Sequence, residues 1–184
     1  MEEKGNHIKL WENVLKGELD ALAQVYAIYY DDLYFYALKL TEQPDLAEDA
    51  VQDVFVDLWN YRQKIGSIHS PKFYLIRSVR NQCLKLLKKQ NRYLNLTSAD
   101  ALDLTITPAD LLLNTDNQNI KNAIQQAMKK LSPRQKEIIY LKFYNNLDYE
   151  ELAAVLEINY QSVVNHIHKA MIKLRHADVL KHFK

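Results

Sequence analysis

Acidic side chains recur at every fourth position in the stretch DLAEDAVQDVFVDLW, from Asp45 to Trp59. Asp45, Asp49, Asp53 and Asp57 form one i, i+4 stripe, with Glu48 and Gln52 beside it. Like charges at that spacing repel by roughly a few tenths of a kcal/mol per pair, so folding alone does not favour them. Paired carboxylates could do acid–base or metal chemistry. Yet none of them has a His three positions on, and no nucleophile motif or glycine-rich phosphate loop accompanies them. A helical metal-dependent hydrolase using Glu48, Asp49 and Asp53 is therefore the weakest reading. What remains is an acidic docking face for a basic partner.

The opposite charge lies directly downstream. Residues 61–92 carry nine basic and no acidic side chains, whereas residues 1–60 carry four basic and 13 acidic ones. Residues 93–117 are acidic and residues 118–184 basic, so the net charge of +1 conceals strong segregation. Phosphate backbones favour such a basic run, because each neutralised phosphate releases condensed counterions. A solvated helix face balancing the acidic half is the plainer alternative. Phe73 and Tyr74 lead this basic segment just after a loop, which combines stacking surface with phosphate contact. Stacking one unpaired base is worth about 1–3 kcal/mol. Ordinary core packing explains either aromatic equally well.

A third constellation lies near the C-terminus, where Asp148 to Arg175 has the pattern of a helix-turn-helix. A first short helix, Tyr149 to Leu156, is followed by a tight turn at Glu157-Ile158-Asn159. A second helix, about Tyr160 to Leu174, buries Val163, Ile167, Ala170, Met171 and Leu174. Glu157 stands where such a turn needs a left-handed backbone, at a cost of roughly 1 kcal/mol. The outward positions are Gln161, Val164, Asn165, His168 and Lys169. Asn and Gln can pair bidentately with adenine, and Val can touch a thymine methyl. His166 and His168 do not share a helix face, so they are poor joint metal ligands. An ordinary helical hairpin is the alternative for the segment.

These side chains need helices to position them, and the composition supplies helices. Gly (3) and Pro (4) are scarce in 184 residues, and 48% of the chain is hydrophobic. That argues against disorder and against all-β folds, which need many turn residues. One cysteine, Cys83, excludes an intramolecular disulfide and any multi-cysteine metal site. No apolar run approaches the roughly 18 residues that span a bilayer, and the first residues lack a signal-peptide core. The expectation is a cytoplasmic protein. Leu10 to Leu40 reads as two helices, Asp45 to Tyr61 as one and Lys72 to about Arg92 as another, with Leu75, Val79, Leu86 and Leu87 inward. Lys64 to Pro71 reads as a loop. Ser132 and Asp148 begin helices as capping boxes closed by Gln135 and Glu151. The chain is thus expected to be all-α, with helical domains at 1–92 and 118–184 joined by a polar, acidic linker at 93–117.

In that order, the segments LYFYALKLTEQPDLAEDAVQDVFVDLW, YLIRSVRNQCLKLLKKQ, LSPRQKEIIYLKFYNNLDYEELA and HKAMIKLR resemble the extracytoplasmic-function group of bacterial RNA polymerase sigma factors. The stretch from Tyr74 to Gln90 is similar to members abundant in Bacteroides-type bacteria. The resemblance implies a non-catalytic promoter-specificity factor, without cofactor, metal or small-molecule substrate. Its implied partners are core RNA polymerase, promoter DNA and a membrane-bound anti-sigma factor. By resemblance, Asp45, Glu48, Asp49, Gln52 and Asp53 dock on the clamp helices of the polymerase largest subunit. Phe73, Tyr74, Arg77, Arg80, Asn81, Lys85 and Lys88 open and read the minus-ten element. Arg134, Gln161, Val164, Asn165, His166, His168, Lys169 and Lys173 serve the minus-thirty-five element. Val164 and His166 depart from the basic residues common there, which predicts modest affinity and apolar readout. The competing reading is an ordinary helix-turn-helix regulator acting without polymerase. The acidic stripe and the basic segment argue against it, since such a regulator needs only one reading head.

Overall fold

The computed structural model describes residues 2–91, Leu104 and residues 118–175. It divides into two compact units, Met1–Thr97 and Ser98–Lys184. The expected linker at 93–117, apart from the fully buried Leu104, lies outside the described residues.

The first unit is built from α1 (Glu2–Lys16), α2 (Leu19–Thr41), α3 (Pro44–Tyr61) and α4 (Pro71–Asn91). Leu10 to Leu40 does split into two helices, and the break is Gly17, whose φ of +95° only glycine adopts cheaply. A Cβ at Gly17 would sit 3.4 Å from the Arg62 guanidinium, which stacks 4.2 Å above the Trp59 ring. Ala21, Val25, Tyr29, Leu33, Ala37 and Leu40 form the buried stripe of α2 at four- and three-residue steps. The α2–α3 corner is made by Glu42 in the left-handed region and by Pro44 in the first turn of α3. Thr41 donates its hydroxyl to Ala37 O at 2.9 Å, holding the last turn. α3 buries Ala47, Ala50, Val51, Val54, Phe55 and Leu58. α4 buries Leu75, Ile76, Val79 and Cys83, while Leu86 and Leu87 are only half-buried. The inward stripe of α4 thus lies nearer its N-terminus than the leucines alone suggest.

The second unit holds α5 (Gln118–Lys129), α6 (Pro133–Phe143), α7 (Tyr149–Leu156) and α8 (Tyr160–Arg175). Both capping boxes form. Ser132 Oγ accepts from Gln135 N at 3.3 Å, and Gln135 Oε1 accepts from Ser132 N at 3.0 Å. Asp148 and Glu151 make the same exchange at 2.8 and 2.9 Å. α7 ends at Glu157 with φ 54° and ψ 42°, the left-handed turn the motif requires. Asn159 then caps α8, its Oδ1 accepting from Ser162 N at 2.7 Å. Ile138, Ile139, Leu141, Leu152, Val155, Val163, Ala170 and Leu174 form the core between α6, α7 and α8. Met171, expected to be core, is half-buried.

Candidate functional site

The acidic face is displayed on α3. Asp45, Glu48, Asp49, Gln52, Asp53 and Asp57 are all exposed, opposite the buried stripe of the same helix. Hydrogen bonds on it come from neutral amides: Gln52 donates to Glu48 Oε1 at 3.1 Å, and Gln82 of α4 donates to Asp53. The face thus keeps its negative charge. Asp57, at its far end, is near enough to Tyr74 to act on it electrostatically.

α4 supplies the basic face. It starts at Pro71, where Ser70 Oγ accepts from Phe73 N at 3.2 Å. Lys72 is paired with Asp32 of α2 at 2.7 Å, which fastens the start of α4 to α2. Arg77, Asn81, Lys85, Lys88 and Lys89 are exposed and recur at three- or four-residue steps, so they line one stripe. Three expected members are set differently. Arg80 is 5% exposed, because it stands one turn from the buried Ile76 and Cys83 on the core side of the helix. It acts electrostatically on the Cys83 thiol, which burial nevertheless pushes up to about 12. Tyr74 is half-buried, edge-on to the fully buried Trp11 with ring centroids 5.2 Å apart. Burial first, and then the Asp57 carboxylate, raises its phenol above the ordinary value. Phe73 is half-buried as well.

On α8, Gln161, Asn165, His168 and Lys169 are exposed, and Val164 and His166 are half-buried. Gln161 donates to Asn165 Oδ1 at 3.2 Å, so the two amides lie side by side on the outer face. Lys173 is tied inward. Its ammonium donates to Lys130 O and to Gln135 Oε1, each at 2.9 Å, which binds the end of α8 to the start of α6. Arg134 lies 3.4 Å from the carboxylate of Glu137, whose side chain is 4% exposed. Burial, followed by the cations Arg134 and Lys169, lowers the His166 imidazole below its ordinary value.

The sequence reading missed Tyr160, which is 52% exposed as the first residue of α8 and packs 5.9 Å from Tyr149. Its place just before Gln161, in the part of such a helix that faces base edges, was the signal available. It also missed the cap at Asn159, although an Asn three residues before Ser162 is a standard helix start. Among the described residues no group of three or more His, Cys, Asp or Glu side chains could hold a metal ion.

Two compact helical units, one with paired acidic and basic faces and one with a helix-turn-helix, define a two-headed factor built to dock and to read. Comparison with known proteins places that class. The family model "Sigma-70 region 2" matches residues 25–93, and "Sigma-70, region 4" matches residues 113–174. The chain is 26% identical over 175 residues to the ECF RNA polymerase sigma factor SigW of Bacillus subtilis, covering 89% of this chain and 92% of that one. It is 26% identical to the ECF RNA polymerase sigma factor SigL of Mycobacterium tuberculosis, over 88% of this chain and 93% of that one. Two solved structures share the fold. One is CnrH in complex with the cytosolic domain of CnrY, at TM-score 0.61 and 22% identity, covering 91% of this chain and 93% of that one. The other is the sigma factor RpoE with the anti-sigma factor NepR from Bartonella quintana, at TM-score 0.59 and 23% identity, covering 84% and 94%. The chain belongs to the sigma-70 family of RNA polymerase sigma factors, in the extracytoplasmic-function group.

Proposed function

We propose that the two units divide the work of promoter selection. The first docks on core polymerase through Asp45, Glu48, Asp49, Gln52 and Asp53. It meets the minus-ten element with the loop 65–70 and the stripe Arg77, Asn81, Lys85 and Lys88 of α4. The second reads the minus-thirty-five element with Gln161, Val164, Asn165, His168 and Lys169 of α8. Phe73 and Tyr74 set the start of α4 against the unit's interior, and the buried Arg80 holds the helix that displays Asn81. Core RNA polymerase and promoter DNA are the partners of this sigma factor. The chain has no catalytic step of its own in this reading. It acts in the cytoplasm, where polymerase and promoters are found. Among the described residues no helix is long and apolar enough to cross a membrane.

The observation that carries the reading is the order of the parts. An acidic face and a basic stripe share the unit matched by region 2, and the helix-turn-helix fills the unit matched by region 4. Both solved neighbours are captured with a partner, the cytosolic domain of CnrY in one and the anti-sigma factor NepR in the other. Extended to this chain, that pairing supplies a membrane-bound anti-sigma factor as the inhibitor. The stretch Tyr74 to Gln90 supports the Bacteroides-type subgroup.

In vitro transcription with core polymerase on genomic fragments, followed by mapping of start sites, tests the function. Transcripts sharing minus-ten and minus-thirty-five elements are expected. Sequence-specific duplex binding by the free chain, with no added transcription, would point instead to an ordinary helix-turn-helix regulator.

A further inference from the structure

α2 carries five of the chain's twelve tyrosines. Tyr29 and Tyr36 are buried, as the helix's inner stripe requires. Tyr26, Tyr30 and Tyr34 lie on another face at steps of four. Their rings run in series: Tyr26 to Tyr30 at 5.0 Å, then Tyr30 to Tyr34 at 5.8 Å and almost parallel, with 10° between planes. Tyr26 is 37% exposed, and the other two are half-buried. Tyrosine is a poorer helix former than alanine, leucine or glutamate, so propensity does not explain three of them along a surface stripe.

The rail borders the acidic face. Tyr26 packs edge-on against Phe55 of α3 at 4.8 Å. Tyr30 lies close enough to Glu48 for its phenol to feel that carboxylate, after burial and Tyr26. On the other side of α3, Asp53 is held by Gln82 of α4. The exposed strip of α3 carboxylates therefore runs with a row of aromatic rings along one edge. Carboxylates pair guanidinium groups bidentately, and aromatic faces stack on them. An arginine-bearing helix seated on α3 would find both within one residue's reach.

We propose that Tyr26, Tyr30 and Tyr34 form an aromatic rail that extends the acidic α3 face and receives arginine side chains of a helix of core RNA polymerase. The proposal rests on the docking reading above and adds residues and a chemistry to it. The rail selects arginine over lysine, because a planar guanidinium stacks on a ring and a compact ammonium does so less well.

The test titrates labelled full-length chain with purified core polymerase. Tyr30→Leu with Tyr34→Leu removes two ring faces while leaving Tyr26 against Phe55. It should weaken binding roughly tenfold, with the helical signal and melting temperature kept. Tyr30→Phe with Tyr34→Phe keeps both rings and should stay within about threefold of the unmodified chain. Wild-type affinity in the folded leucine variant overturns the rail, as does an equal loss in the phenylalanine variant. Asp49→Lys with Asp53→Lys is the separate arm. If it loses binding while the leucine variant does not, the rail alone falls. If neither loses binding, the docking reading falls with it.

Discussion

The two units spend their cations differently. On α4 of the first unit, Arg77, Lys85, Lys88 and Lys89 stand in solvent along one stripe. On the second unit, Lys173 donates to Lys130 O and Gln135 Oε1, Arg134 reaches the buried Glu137, and His166 is held toward its neutral form. The first unit therefore offers charge to a partner, whereas in the second Lys173 ties the end of α8 to the start of α6 and Arg134 pairs within α6. What the second unit offers outward is chiefly the amides Gln161 and Asn165, with His168 and Lys169. The difference teaches that a basic segment is not by itself a nucleic-acid surface. Exposure decides it, residue by residue.

Breaking the first unit's acidic face gives the largest expected effect. Asp49→Lys with Asp53→Lys reverses two charges on an exposed face and removes one exposed hydrogen bond, from Gln82 to Asp53. Core polymerase binding should fall by roughly a hundredfold or more, because like charges then meet a basic partner. The melting temperature should shift little, since exposed substitutions usually stay within about 0.5 kcal/mol. Wild-type affinity in a pull-down would move the docking surface elsewhere.

A smaller effect separates two neighbours on α4. Arg80 is buried and Asn81 is exposed. Arg80→Ala should cost about 2–4 kcal/mol of stability, as for truncating a large buried side chain. Asn81→Ala should leave thermal unfolding unchanged and cost about 1–3 kcal/mol at one promoter position. A minus-ten mutant library read with both variants checks this. Equal melting temperatures for the two would contradict the inward setting of Arg80.

Much of this architecture was legible in local pattern. The span Tyr149 to Leu156, both capping boxes and the left-handed Glu157 follow from spacing within a few residues, where local chemistry governs the backbone. Arg80 was assigned to the minus-ten element by resemblance, and its 5% exposure sets it on the core side of α4. The apolar Ile76 and Cys83, one turn to either side of it, share that face. The tie of Lys173 to residues 38 and 43 positions away could not be seen, since no local rule reports a long-range contact. The tyrosine rail escaped for a related reason. Tyr26, Tyr30 and Tyr34 share a helical spacing with any apolar stripe, and only the neighbouring α3 shows which side stays open. The roles given to the site residues rest on that surface geometry and on resemblance together.

The difference between the two units also sets how each responds to salt. Removing a cation that neutralises one phosphate should reduce the slope of log affinity against log salt by about 1. Lys85→Ala should therefore flatten the salt dependence of promoter binding by the polymerase holoenzyme. Lys173→Met should leave that slope unchanged and lower the unit's stability by about 1 kcal/mol, the worth of its inward hydrogen bonds. A flattened slope for Lys173→Met would return that ammonium to the DNA.

The smallest effect concerns His166 of α8. Burial, then Arg134 and Lys169, hold its imidazole below 6.5 in the folded chain. The unfolded chain takes up that proton near 6.5, and the folded chain takes it up only at lower pH. In the window between, the unfolded state binds more protons, so stability rises with pH. The contribution of His166 is complete above about 6.5 and is lost as the pH falls below it. Melting the chain between pH about 7.5 and about 5.5 should show a larger loss for wild type than for His166→Gln. The chain has six histidines, so the difference between the two curves is the measurement, and coincident curves would remove His166 as a contributor. DNA should act in the opposite sense. A phosphate beside His166 would offset Arg134 and Lys169 and favour the protonated ring, so binding would take up a proton. Duplex affinity should then rise below pH 6.5 while stability falls, and both trends should flatten in His166→Gln. An affinity that does not change with pH would leave His166 a packing residue of α8 and assign the outer face to Gln161, Asn165, His168 and Lys169.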